Sequence, residues 1–178
     1  AFPLASQSAD SAVATAFGHG ASTLHVTTPS GQSGIALAEV YELDCNGRTV
    51  NLSARASVGA GDNTLVGGFV VSGTASKRIL IRGVGPTLAT LGIADALRDP
   101  VVTLYSGREC IASNDRWSSG AGAAVAEKAA RSVGAFPFAA GSEDAALFIT
   151  LPPGAYTVEL AGKAGSEGIA LLEIYDVP

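Results

Sequence analysis

The chain has 178 residues and a formal net charge of −5, enough length for one domain with an appendage and a sizeable core. Its eleven Lys and Arg are scattered with no basic, aromatic-interleaved patch, which argues against nucleic acid as a partner, and no apolar run approaches the ~20 residues of a membrane helix. Charged residues make up 15% against about 25% in soluble domains, so the surface is poor in charge and suited to being covered by neighbours.

Residues 1–19 are small, Ser/Ala-rich and weakly patterned, and form an N-terminal arm with too little apolar surface to order itself. Phe2, Leu4, Val13 and Phe17 are its candidate anchors, in this domain or in a neighbour. No methionine occurs anywhere, so the chain is expected to follow a cleavage, and removal of a secretory signal peptide is the simplest one. Cys45 and Cys110, an even count, fit an oxidising compartment and are expected to pair, within one chain or between two.

From residue 21 onward, short runs of Val, Ile, Leu, Thr and Tyr are punctuated by Gly, Pro, Asn and Asp. The pattern predicts strands at 23–28, 35–43, 49–56, 64–71, 78–84, 101–105, 110–113, 145–150, 156–160 and 169–175. Two short helices are predicted, at 87–91 just after Pro86 and at 123–131, where AAVAEKAAR gathers strong helix formers. The expected fold is therefore all-β: a two-layer, jelly-roll-like antiparallel sandwich of about ten strands with one or two short helices.

One phrase is written twice. Aligned without gaps at an offset of 134, residues 20–44 match 154–178 at Gly20, Ala21, Thr23, Gly31, Gly34, Ile35, Ala36, Leu37, Glu39 and Tyr41, ten of 25 positions. Each copy reads strand, Gly-containing turn, strand, which predicts a β-hairpin. In GIALAEVYEL, Ile35, Leu37, Glu39, Tyr41 and Leu43 share one face and Ala36, Ala38 and Val40 the other, so both faces are apolar, as in a strand covered on two sides. A lone hairpin is marginal in water, so the copy at 20–44 must pack on something. The division that follows is an arm at 1–19, an extra hairpin at 20–44 and a sandwich domain at 45–178. Whether the hairpin packs in its own chain or on another stays open.

Residues 50–117, from VNLSARASVGAGDNTLVGGFVV through LYSGRECIASNDRW, together with the closing LPPGAYTVELAGKAGSEGIALLEIYDVP, resemble a repeat of large secreted and surface proteins of environmental bacteria. The second half, LYSG, IASND and PGAYTVEL, is also similar to the bacterial pre-peptidase C-terminal type of β-sandwich. The resemblance spans roughly residues 34–178 and implies an extracellular or cell-surface module without an assigned catalytic role. It also implies that the chain reads as the tail of one repeat followed by a whole one.

Catalytic patterns are sparse. His19 and His25 are six apart with no Cys beside them, which is no zinc spacing, and there is no G-x-S-x-G elbow, phosphate loop or dinucleotide fingerprint. No enzyme and no cofactor is expected. Glu39 and Glu173 occupy matched places on otherwise apolar strands, so each needs a cationic partner, with Arg48, Arg55, Arg78 and Arg82 the candidates. Asn114 and Asp115 are weak candidates for calcium, although Asx residues at turns more often bind their own backbone. Tyr105 and Trp117 are a candidate sugar-binding platform. The favoured expectation is a secreted structural protein that assembles head to tail with copies of itself, into a filament or surface layer, through the arm and hairpin, with Ile35, Leu37 and Tyr41 among the contacts. The alternative is a carbohydrate- or matrix-binding module of a larger secreted protein, with glycans as partners.

Overall fold

The computed structural model describes residues 3–27, 31–43, 49–59, 61–119 and 122–178. The chain divides into two units, Ala1–Arg48 and Thr49–Pro178.

The second unit is the sandwich. Its elements in order are β1 (Asn51–Val58), β2 (Leu65–Val71), β3 (Lys77–Val84), α1 (Pro86–Thr90), β4 (Pro100–Ser106), β5 (Glu109–Asn114), α2 (Ala123–Ser132), β6 (Ala145–Leu151), β7 (Gly154–Gly162), a single 3-10 turn (Lys163–Gly165) and β8 (Gly168–Val177). The strands form two four-stranded antiparallel sheets, in the orders β1-β8-β3-β6 and β2-β7-β4-β5. Successive strands β1 and β2, β3 and β4, β5 and β6, and β7 and β8 thus alternate between the layers, which is the jelly-roll arrangement. All eight strands lie where the sequence predicts them, within a few residues. The two predicted helices are present as well.

Alternation along the strands builds the core. Ile79 and Ile81 of β3, Val102 and Leu104 of β4, Val158 and Leu160 of β7, and Leu172 and Ile174 of β8 all point between the sheets and are buried. Each such side chain contributes about 1.5–3 kcal/mol relative to exposure. Gly83 marks a close approach of the layers. A Cβ there would lie 2.5 Å from Val102 Cγ2 and 2.8 Å from Leu160 Cδ1, so no side chain fits. The β4–β5 hairpin turns on Gly107-Arg108, with Gly107 at φ 59°, a conformation that favours glycine.

The β1/β8/β3/β6 sheet is covered on its outer face too. Leu80 of β3 and Tyr175 and Val177 of β8 pack there against Ala126 and Ala129 of α2, with Val133, Ala135 and Phe148 beside them. Double cover explains why β3 and β8 read as nearly continuous apolar runs.

The first unit departs from expectation. Among its described residues there is no strand: 23–27 and 31–43, the predicted hairpin, have no ladder partner, and the regular feature is a turn closed by Ser8 N–H on Ala5 O at 3.1 Å. The sequence pattern reports which faces a strand is able to bury. It does not supply the neighbours that β7 and β8 possess.

Candidate functional site

The site is best read from the copy that is folded. In the second copy, β7 pairs with β2 and β4, and β8 pairs with β1 and β3, so both strands lie in the interior of their sheets and the expected hairpin is not formed: the chain crosses from one layer to the other between them. Val158 and Leu160 are fully buried, and Ile174, Tyr175 and Val177 nearly so. The outer face of β8 carries Glu173, which is 4% exposed. Tyr175 Oη donates to Glu173 Oε1 at 2.7 Å, and Arg82 Nη1 lies 3.0 Å from Glu173 Oε2. Of the candidate partners Arg55, Arg78 and Arg82, Arg82 is the one beside this carboxylate, and Arg48 lies outside the described residues.

Burial pushes the Glu173 carboxyl above its ordinary range, and the Arg82 charge and the Tyr175 hydroxyl pull it part of the way back. Burial likewise lowers Arg82, opposed by Glu173, and raises Tyr175. The Arg82 guanidinium is 1% exposed and sandwiched between two rings, its Cζ 4.6 Å from the Phe136 centroid and 4.1 Å from that of Phe138. Its Nη2 donates to Phe136 O at 2.8 Å.

The first copy holds the same chemistry without cover. Leu24 is 63% exposed where its counterpart Val158 is 0%, and Leu43 is 88% exposed where Val177 is 7%. Ile35, Leu37, Val40 and Tyr41 are exposed, as are Leu4, Val13 and Phe17 of the arm. Phe2 lies outside the described residues. Tyr41 Oη donates to Glu39 Oε1 at 2.8 Å, repeating the Tyr175–Glu173 bond, and that bond holds Tyr41 above its usual value. Residues 1–43 contain no Lys or Arg, so this segment has no equivalent of Arg82.

A second feature is a cleft of ≈ 270 Å³ on the outer side of the β1/β8/β3/β6 sheet, lined by Arg82, Trp117, Ala130, Arg131, Phe136 and Phe138 among others. Trp117 is half-buried, its ring centroid 5.5 Å from that of Phe138 at an interplanar angle of 52°. Its Nε1 donates to Ser142 Oγ at 3.2 Å. Tyr105 is not part of this cleft. It sits on β4, in the other sheet, facing outward, and is raised by desolvation and then by the charge of Glu159. The expected Tyr105–Trp117 platform is therefore not assembled, because the two residues leave the sandwich on different layers.

Asp144, at the start of β6, is fully buried and anchors the cleft wall. Its carboxylate accepts from Gly85 N–H at 2.7 Å, from Thr87 N–H at 3.2 Å, from the Thr87 hydroxyl, and from Ser142 Oγ at 2.5 Å. Thr87 Oγ1 in turn accepts from Ala139 N–H at 2.9 Å. Sequence reasoning missed Phe136, Phe138 and Asp144. The readable signal was AFPF directly after a helix, beside an arginine on an apolar strand.

The calcium candidates are engaged otherwise. Asn114 Oδ1 accepts from Arg116 N–H at 3.1 Å and Ala146 N–H at 2.9 Å, an Asx turn that also ties β5 to β6. Asp115 pairs with Lys163 Nζ at 2.7 Å, which holds its carboxyl below the usual range. Cys110 is a free thiol, exposed on β5, and its expected partner Cys45 lies outside the described residues. Among the described residues no group of three or more His, Cys, Asp or Glu is placed to hold a metal, and no helix is long and apolar enough to cross a membrane.

No family model matches the sequence, and no curated protein is significantly similar to it. Among solved structures, the chain is similar in fold to the pre-peptidase C-terminal domain of a collagenase from Bacillus anthracis, at 16% identity and a TM-score of 0.42, covering 72% of this chain and 99% of that one.

Proposed function

We propose that this protein is an extracellular, non-enzymatic structural module that joins end to end with sandwiches of its own kind, as a filament or surface layer, through the residues that precede its sandwich. The observation that carries this reading is the row of exposed apolar side chains at Leu24, Val26, Tyr41 and Leu43, whose counterparts in the folded twin are buried, with Ile35 and Leu37 exposed beside them where Ile169 and Leu171 are half-buried. Such a patch on a chain poor in charge marks an association surface. A contact between this segment and a different surface of the next molecule is heterologous, and a heterologous contact that does not close propagates as a fibre. Deleting residues 1–43 should abolish assemblies in light scattering and negative-stain images while leaving a folded domain. Assembly of the truncated protein at the wild-type level would refute the reading.

A second reading, favoured by the aromatic cleft, is a carbohydrate- or matrix-binding module with Trp117 and Phe138 as its apolar wall. Trp117→Ala should then lose glycan or matrix binding measured on an array, with the monomer's fold intact.

A further inference from the structure

Resting on the reading that residues before Thr49 associate with like sandwiches, we infer that residues 20–43 are the seventh and eighth strands of a second sandwich, and that their partner is a six-stranded unit equivalent to β1–β6 with an arginine in the place of Arg82. The match fixes the placement residue by residue. At the offset of 134, Leu24 and Val26 take the inward positions of Val158 and Leu160. Ala36, Ala38 and Val40 take those of Ala170, Leu172 and Ile174, all of which are buried. Ile35, Leu37, Glu39, Tyr41 and Leu43 fall on the outer face of Ile169, Leu171, Glu173, Tyr175 and Val177.

Three further observations select this partner. A strand apolar on both faces needs a place inside a sheet covered on both sides, which is where β8 sits, between β1 and β3; addition at a sheet edge leaves one of its sides unpaired. A complete copy of this sandwich accepts the segment only by giving up its own β7 and β8, which are covalently attached and held at high effective concentration, so that exchange is disfavoured relative to entry into an open β1–β6 unit. Finally, Glu39 brings a carboxylate with its tyrosine bond already made, 2.8 Å against 2.7 Å in the folded copy, into a face that is otherwise apolar. Residues 20–43 hold no Lys or Arg, and Arg82 on β3 shows where the partner supplies one.

The test extends the chain so that residues 49–153 precede Gly20, the counterpart of Gly154. Hydrogen exchange read by mass spectrometry compares residues 35–43 with 169–177 in the same molecule. Protection of 35–43 is expected to rise by about a hundredfold over the unextended chain and to approach that of 169–177. Arg82→Met in the added copy alone should reverse that gain by about tenfold or more, leaving 169–177 unchanged. Residues 35–43 that remain unprotected while 169–177 are protected overturn the inference. Protection in the extended chain together with an unextended chain that never assembles would retain the inference and overturn the association reading. Assembly that depends on residues 1–43 without protection in the extended chain would do the reverse.

Discussion

Arg82, Glu173 and Tyr175 show what a charge inside a β-sandwich requires. Removing one partner of a buried ion pair leaves the other unpaired, so Arg82→Met is expected to destabilise the sandwich by about 3–5 kcal/mol in urea titrations. Replacing both charges, Arg82→Met with Glu173→Leu, should recover most of that loss, because the site is walled by Phe136, Phe138 and Leu80 and suits apolar side chains. The pair also gives stability a pH dependence. Burial raises the Glu173 carboxyl, so the folded state binds more protons than the unfolded state between the ordinary carboxylate value and the raised one. The group's contribution is therefore largest below the ordinary value and declines as pH rises through that window, after which it is constant. Relative to Glu173→Gln, wild-type stability should fall on going from strongly to mildly acidic pH, and a flat difference would contradict the assignment. Part of this trio was legible in the sequence: a glutamate on an apolar strand demands a cation. Which of the arginines answers depends on β3 lying beside β8, a long-range pairing that local pattern does not encode.

Among elements, the short helix α1 is held by a side chain remote in sequence. α1 has five residues and no capping side chain of its own. Asp144, from the far end of the intervening chain, accepts its Gly85 and Thr87 amides and so ties the helix start to β6 and to the segment around Ala139. Hydrogen bonds to a charged group contribute about 1.5–3 kcal/mol each, and orphaning buried donors adds to the loss. Asp144→Ala should thus lower stability by about 3 kcal/mol or more, while Asp144→Asn, which keeps one acceptor, should lose less. Chemical denaturation of both variants checks the order. The strands of the sandwich were readable because turn residues bracket each one, as at Pro152-Pro153-Gly154 and Gly107-Arg108. Both helices were readable from composition and Pro86. The segment carrying Phe136 and Phe138 was not, because an apolar run without a period does not announce which surface it covers. The strands expected at 23–28 and 35–43 fail for a related reason: periodicity records the capacity to pair, and pairing needs a partner.

For the whole molecule, the division between Ala1–Arg48 and Thr49–Pro178 predicts that stability resides in the second unit. Its core is closed by its own eight strands, and among the described residues none of the buried core precedes Val58. A protein lacking residues 1–43 should unfold cooperatively, with a midpoint within about 3 °C of the full chain by calorimetry. A broad or strongly lowered transition would mean that the first unit completes the core.

Strand order also sets a timetable. The strands made last, β7 and β8, occupy the interiors of the two sheets, so β1, made first, has no partner in its sheet until β8 leaves the ribosome. Most contacts join residues distant in the chain, and such contacts form slowly. A nascent sandwich of this design stays open through synthesis and, if threaded outward with β1 leading, through export, and it closes only once β8 arrives. Losing residues 168–177 would therefore remove a central strand of one layer and the pairing partner of β1, where a loss of equal length before Thr49 would leave the sandwich untouched.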